Sequence, residues 1–123
     1  MIIKFAINMY SVIECIAQGY DRSKKVEGIY FYAKTEDEIS LVCRQEIEVD
    51  HITDIEKGYR LIKIEGILDF SLVGIISKIS SLLANNDISI FVVSTFNTDY
   101  FMVKENHLEK TIALLEKNNY DIA

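Results

Sequence analysis

The sequence contains no proline and no tryptophan, and only two cysteines, two histidines and five glycines among 123 residues. Each shortage removes a class of explanation. Cys15 and Cys43 are too few for a disulfide scaffold and too far apart for a local zinc knuckle, so they read as buried apolar thiols. His51, in the acidic loop EVDHITDIE, and His107, at an exposed helix start, have no Cys or His partner at metal-ligand spacing, and no metal site is expected. The glycines are scattered and make neither GxGxxG nor a Walker loop, and no serine sits in a G-x-S-x-G elbow. No cofactor is expected. One carboxylate, Asp69, near Ser71 and Thr95 is too little for acid–base catalysis without a second acid, metal or nucleophile, so the chain does not read as an enzyme.

Basic residues are also in deficit. Lys and Arg total 13 against 19 Asp and Glu, a net charge of −6. That surface repels phosphate backbones and carries no basic stripe, so no nucleic-acid partner is expected. Apolar runs, such as 88–93, are short and fall well below the roughly 20 residues that span a bilayer. The opening MIIKFAINMYSVIE lacks the basic, apolar and small-residue sections of a signal peptide. The expectation is a cytoplasmic protein with no membrane partner.

What is present is hydrophobic patterning. Half of the chain is hydrophobic, enough for one ordinary domain or two very small ones sharing a core. In the second half, YRLIKIEG (59–66) alternates like a strand. Leu72, Ile75, Ile76, Ile79, Leu82 and Leu83 recur at spacings of three and four, one face of a helix. Asn85 or Asn86 is expected to end it in a left-handed conformation. ISIFVVS (88–94) reads as a central strand. TFNTD is a turn, and YFMVK (100–104) the returning strand. Asn106 and Glu109 fit a capping pair for a second helix bearing Leu108, Ile112 and Leu115. Asn118 and Asn119 end that helix, and YDIA supplies a last edge strand. The order βαββαβ predicts an α+β, ferredoxin-like plan: a four-stranded antiparallel sheet with two helices on one face.

The first half repeats part of this pattern. IYFYAKTEDEISLVCRQ (29–45) reads as two strands around a solvated acidic turn. Thr35 matches Thr95 at an offset of 60, and Glu38-Ile39 matches Asp99-Tyr100 at 61, as if one residue were gained in the turn. YSVIECIA at Tyr10 resembles YRLIKIEG at Tyr59. Between the strands stands only QGYDRSKKVEG, too short and polar for a long core helix. A degenerate internal repeat is expected.

The stretch EGILDFSLVGIISKIS (65–80) carries the candidate chemistry. A helix start offers bare amides and partial positive charge, which attract a carboxylate. A carboxylate side chain there attracts an ammonium group instead. Asp69, with the amides of 70–73, would grip both ends of an α-amino acid. Ser94, Thr95 and Thr98 would bring hydroxyls to the same corner, and Phe70, Leu72 and Phe91 an apolar floor. The alternative is plain: Asp69 and Ser71 are good N-cap residues and need no ligand.

These residues also resemble the ACT domain family, and most of all small proteins built from two ACT-like halves. Those are related to the regulatory ACT units of aspartate kinases and to cytosolic arginine sensors. The pattern is carried by Glu65-Gly66, Leu68-Asp69-Phe70, Gly74, the run 88–91, Ser94-Thr95 and Thr98-Asp99-Tyr100. The resemblance implies a tandem ACT arrangement, with a degenerate ACT-like half at 1–58 and an ACT domain at 59–123. It implies an amino-acid ligand between two ACT units, at the loop Asp69, Phe70, Ser71, Leu72, Val73, Gly74 and the facing strand end Ser94, Thr95, Phe96. Ile67 stands where relatives commonly have proline, which leaves that loop less preset. Tyr59 replaces a frequent tryptophan.

Two functions follow as expectations. One is a sensor that binds an amino acid and is read by a regulated protein partner, without catalysis. The other is an assembly module that pairs through its sheet, as a homodimer or with another protein, and binds no small ligand.

Overall fold

A computed structural model describes residues 2–15, 28–47, 49, 52–65 and 74–122. The expectations placed on the polar connection after Cys15, on His51 and on Asp69 to Val73 lie outside the described residues. The described chain forms β1 (Ile2–Cys15), β2 (Phe31–Lys34), β3 (Ile39–Arg44), β4 (Ile52–Glu65), α1 (Ile75–Ala84), β5 (Phe91–Ser94), β6 (Asp99–Lys104), α2 (Leu108–Lys117) and β7 (Asp121–Ile122). It packs as two units. One is Asn8–Tyr59; the other runs from Arg60 onward and includes the first residues up to Ile7.

In the unit Asn8–Tyr59, β3 pairs antiparallel with β2, from Phe31↔Val42 to Lys34↔Ile39. It also pairs antiparallel with β1, from Tyr10↔Arg44 to Cys15↔Ile39. The period of two in ISLVCR puts Ile39, Leu41 and Cys43 on one face, where they form a small core flanked by Tyr32, Ile47 and Val49. Cys43 is a buried thiol outside any disulfide, as its sequence setting implies. β4 begins seven residues before the strand expected at Tyr59, so part of the expected acidic loop is strand. That section, ITDIEK, is exposed throughout. Its isoleucines, Ile52 and Ile55, are three apart and make no period-two signal. Gly58 adopts φ +84 within the strand, and its amide donates to Gln45 Oε1 at 2.9 Å.

In the second unit β6 lies between β4 and β5. β5 is therefore the outer strand of this order, not the central one its apolar composition suggests, and it begins at Phe91 rather than Ile88. Both helices pack on one face. The shared core comprises Ile62 and Ile64 of β4, Phe101 and Val103 of β6, Ile79 and Leu83 of α1, Leu115 of α2, and Ile88. Phe101 and Val103 alternate along β6, while Ile75, Ile76 and Leu82 extend the stripe of α1 around it. The final strand departs from the four-stranded plan. β7 pairs in parallel with the start of β1, Ile2↔Asp121 and Ile3↔Ile122.

The helix ends share one construction. After α1 the left-handed residue is Asp87 (φ 59), not Asn85 or Asn86. Ile88 N–H donates to Leu83 O at 2.9 Å and Asp87 N–H to Ala84 O at 3.1 Å, a Schellman arrangement. After α2, Asn119 (φ 68) takes that place, with Tyr120 N–H to Leu115 O at 3.0 Å and Asn119 N–H to Glu116 O at 3.1 Å. Asn86 and Asn118 donate Nδ2 to the carbonyls of Leu82 and Leu114, both at 2.8 Å. The expected Asn106–Glu109 cap is absent: 105–107 form a 3₁₀ turn, and α2 starts from a half-buried His107 without a side-chain cap. Buried Thr111 donates instead to His107 O at 2.7 Å.

Phe101→Ala is expected to lower the unfolding free energy by about 3–5 kcal/mol in denaturant titrations. Asp87→Gly, which relieves the left-handed backbone, is expected to be neutral or stabilising in the same titration.

Candidate functional site: the start of α1 and the β5–β6 turn

The described chain resumes after β4 at Gly74, which is the N-cap of α1 with φ 83 and ψ 13. A left-handed residue favours glycine because a Cβ would crowd the backbone. Lys78 N–H donates to Gly74 O at 2.9 Å, closing the first turn. Among the described residues no side chain caps this start, and the first turn contains no acidic residue. The amides of 75–77 carry the partial positive charge of a helix N-terminus. The N-cap of α1 is Gly74. Asp69, Phe70, Ser71, Leu72 and Val73 themselves lie outside the described residues.

The other sequence-named residues meet in one turn. Ser94 is paired with Asp99 at the end of the β5–β6 ladder, and Ser94 Oγ donates to Asp99 Oδ1 at 2.6 Å. Thr95 N–H donates to Thr98 O at 2.8 Å. Thr98 N–H donates to Thr95 Oγ1 at 3.2 Å, and Thr95 Oγ1 donates back to Thr98 O at 3.2 Å. Phe96, at the tip, is 100% exposed. Phe91, expected on an apolar floor, is half-buried at the start of β5. Sequence reasoning passes over Asp99 as the partner of Ser94, because that bond depends on hairpin register, which spacing alone does not set.

Topology places the turn at the same end of the sheet as the start of α1. The crossover from β4 through α1 reaches β5 one strand over, which makes β4 and β5 parallel. Their C-terminal ends, Glu65 and Ser94, then share the edge from which α1 departs. A separate polar depression is lined by Glu116, Asn119, Tyr120, Asp121 and Ile122, and it shares no residue with these. Among the described residues, no group of three or more His, Cys, Asp or Glu is placed to hold a metal ion.

The β2–β3 turn is built like the β5–β6 turn. Thr35 N–H donates to Glu38 O at 2.9 Å, and Thr35 Oγ1 accepts from Asp37 N–H at 3.2 Å and Glu38 N–H at 3.1 Å. Phe31, Lys34, Ile39 and Val42 correspond to Phe91, Ser94, Asp99 and Met102, a constant offset of 60. No residue is gained in the turn, contrary to the alignment drawn from sequence.

A family model for the ACT domain matches residues 54–117. The chain belongs to the ACT domain family. ACT domains are regulatory modules that often bind amino acids, and the mixed α/β sheet architecture fits their ferredoxin-like fold. Protein Atu0741 from Agobacterium tumefaciens is similar over 99% of this chain and 91% of its own, with 29% identity and a TM-score of 0.89. VC0802 from Vibrio cholerae, a protein of unknown function, matches 94% of this chain and 87% of its own at 16% identity and TM-score 0.70. Aspartate kinase from Clostridium acetobutylicum, described as an allosteric enzyme, matches 85% of this chain and 32% of its own at 15% identity and TM-score 0.61. The last two likenesses concern the fold alone. No curated protein matches the chain in sequence.

Gly74→Ala is expected to cost about 1–2 kcal/mol through backbone conformation, although an added Cβ would meet nothing within 4 Å. Chemical denaturation measures it; an unchanged midpoint would show that α1 can start without the left-handed residue.

Proposed function

We propose that this ACT protein is a regulatory sensor that binds a free amino acid and performs no chemistry of its own. The observation that carries the reading is the start of α1. Its N-cap, Gly74, is left-handed and has no side chain of its own, and the first turn has no acid, at the sheet end where β5 finishes in hydroxyls. The ligand's carboxylate would lie on the amides that open α1, and Asp69 would hold its ammonium group. Phe70, Ser71, Leu72, Val73 and Gly74 would form one wall; Ser94, Thr95, Phe96 and Thr98 would form the other. The aspartate kinase likeness supports the reading, because that protein is described as allosteric.

The matching turns at a constant offset of 60 support two ACT-like halves in one chain, a degenerate one at 1–58 and a fuller one at 59–123. The family places its ligands between two such units. Binding would favour one arrangement of the halves, and a regulated protein would read that arrangement. No described helix is long and apolar enough to cross a membrane, which accords with a cytoplasmic setting.

One observation favours the assembly reading. Phe96 is wholly exposed at a turn tip, where the corresponding residue in the other hairpin is Glu36, so the backbone does not require an aromatic there. That ring suits contact with a protein surface or a second copy of the chain.

A thermal-shift screen of the twenty amino acids at millimolar concentration separates the two. The sensor reading expects one amino acid to raise the melting temperature, by an increment equivalent to about 2.7 kcal/mol at 100 times its Kd. Asp69→Ala should remove that rise. No shift with any amino acid, together with self-association lost in Phe96→Ala by light scattering, would replace the sensor by the assembly module.

A further inference from the structure

The second unit is not one stretch of chain. It runs from Arg60 onward but includes the residues up to Ile7, so the first unit, Asn8–Tyr59, is inserted between its two parts. Two strands make the crossings. β1 (Ile2–Cys15) and β4 (Ile52–Glu65) have 14 residues each and are neighbours in the sheet. Each begins in one unit and ends in the other without a break in the strand.

The start of β1 is also what joins β7 to the sheet. β7 pairs with β1, Ile2↔Asp121 and Ile3↔Ile122, and β1 in turn neighbours β4. Residues 2–7 therefore lie between the last strand of the second unit and its first. How they are brought there decides the energetics. With the first unit folded, β1 is fixed against β3 from Tyr10↔Arg44 to Cys15↔Ile39, and its start is held in line with that ladder. With the first unit unfolded, residues 2–7 would be tied to β4 only through the disordered length of Asn8–Tyr59. Loop-closure entropy would oppose their return, and the two pairs to β7 offer little to offset it.

We infer that β1 and β4 couple the two compact units into one opening event. The inserted first unit holds residues 2–7 in the sheet of the second, and such a coupling is reciprocal, so the second unit stabilises the first by the same amount. Compact units within one chain can open separately; here the shared strands prevent it. This goes beyond the sensor reading and does not depend on it. It is a conformational device that a sensor or an assembly module could use equally, because whatever binds one unit alone stabilises both.

Hydrogen exchange of the full chain tests it, followed at the slowest amides of 39–44 and of 99–104. Leu41 is buried in the small core of the first unit and Val103 in the core of the second. Leu41→Val is expected to speed exchange at 99–104 by the same factor as at 39–44, about 5- to 10-fold. Val103→Ala is expected to speed both sets by one common factor, about 10- to 50-fold. Ile3→Gly weakens the shared strand within the second unit and is expected to speed exchange at 39–44 as much as at 99–104. Acceleration confined to the unit that carries the substitution, in any of the three variants, would overturn the inference.

Discussion

Everything in the second unit depends on where its two helices stop. Asp87 and Asn119 turn the chain left-handed. Ile88 and Tyr120 then return their amides to the carbonyls of Leu83 and Leu115. Each return brings an apolar side chain back to the core: Ile88 is buried within it and Tyr120 packs against it. The construction satisfies carbonyls that a helix end would otherwise leave bare, and it couples that satisfaction to apolar burial. The end of α1 is also tied to the first turn of α2, since Lys110 Nζ donates to the carbonyl of Asn86 at 3.0 Å. With the stops fixed, the starts of β5 and β7 follow.

The far end of α1 inherits that placement. Its stripe of Ile75, Ile76, Ile79, Leu82 and Leu83 must face Phe101 and Val103, which sets the rotation of the helix and the direction of its first amides. The left-handed Gly74 supplies the sharp entry and has no side chain to offer those amides. At the neighbouring strand end Ser94 Oγ donates to Asp99 Oδ1 and Thr95 Oγ1 exchanges hydrogen bonds with the backbone of Thr98.

Much of the fold was legible because one side chain per turn or per pleat reported it. The spacing of Ile75, Ile79 and Leu83 marked α1, and the alternation of Phe101 and Val103 marked β6. The features that escaped were governed by partners distant in sequence. Exposed ITDIEK carries no alternation, so the first half of β4 looked like a loop. ISIFVVS looked central because it is apolar, yet β5 is an outer strand whose Val92 and Ser94 are exposed. Asp87 rather than an asparagine takes the left-handed turn, because the Schellman bonds place that conformation one residue after Asn86. At the candidate site the hydroxyls of Ser94 and Thr95 were visible as residue types. Their division of labour was not, since it depends on which residue the register sets opposite each one.

The central claim is that a zwitterion lodges between the start of α1 and the end of the β5–β6 hairpin. Amide chemical shifts followed through titration with the stabilising amino acid test it most directly. The account predicts saturable shifts concentrated at Gly74, at 75–77 and at 94–99, with α2 and β7 little affected. Shifts confined to the depression around Glu116 and Asp121, or none at saturating ligand, would contradict it.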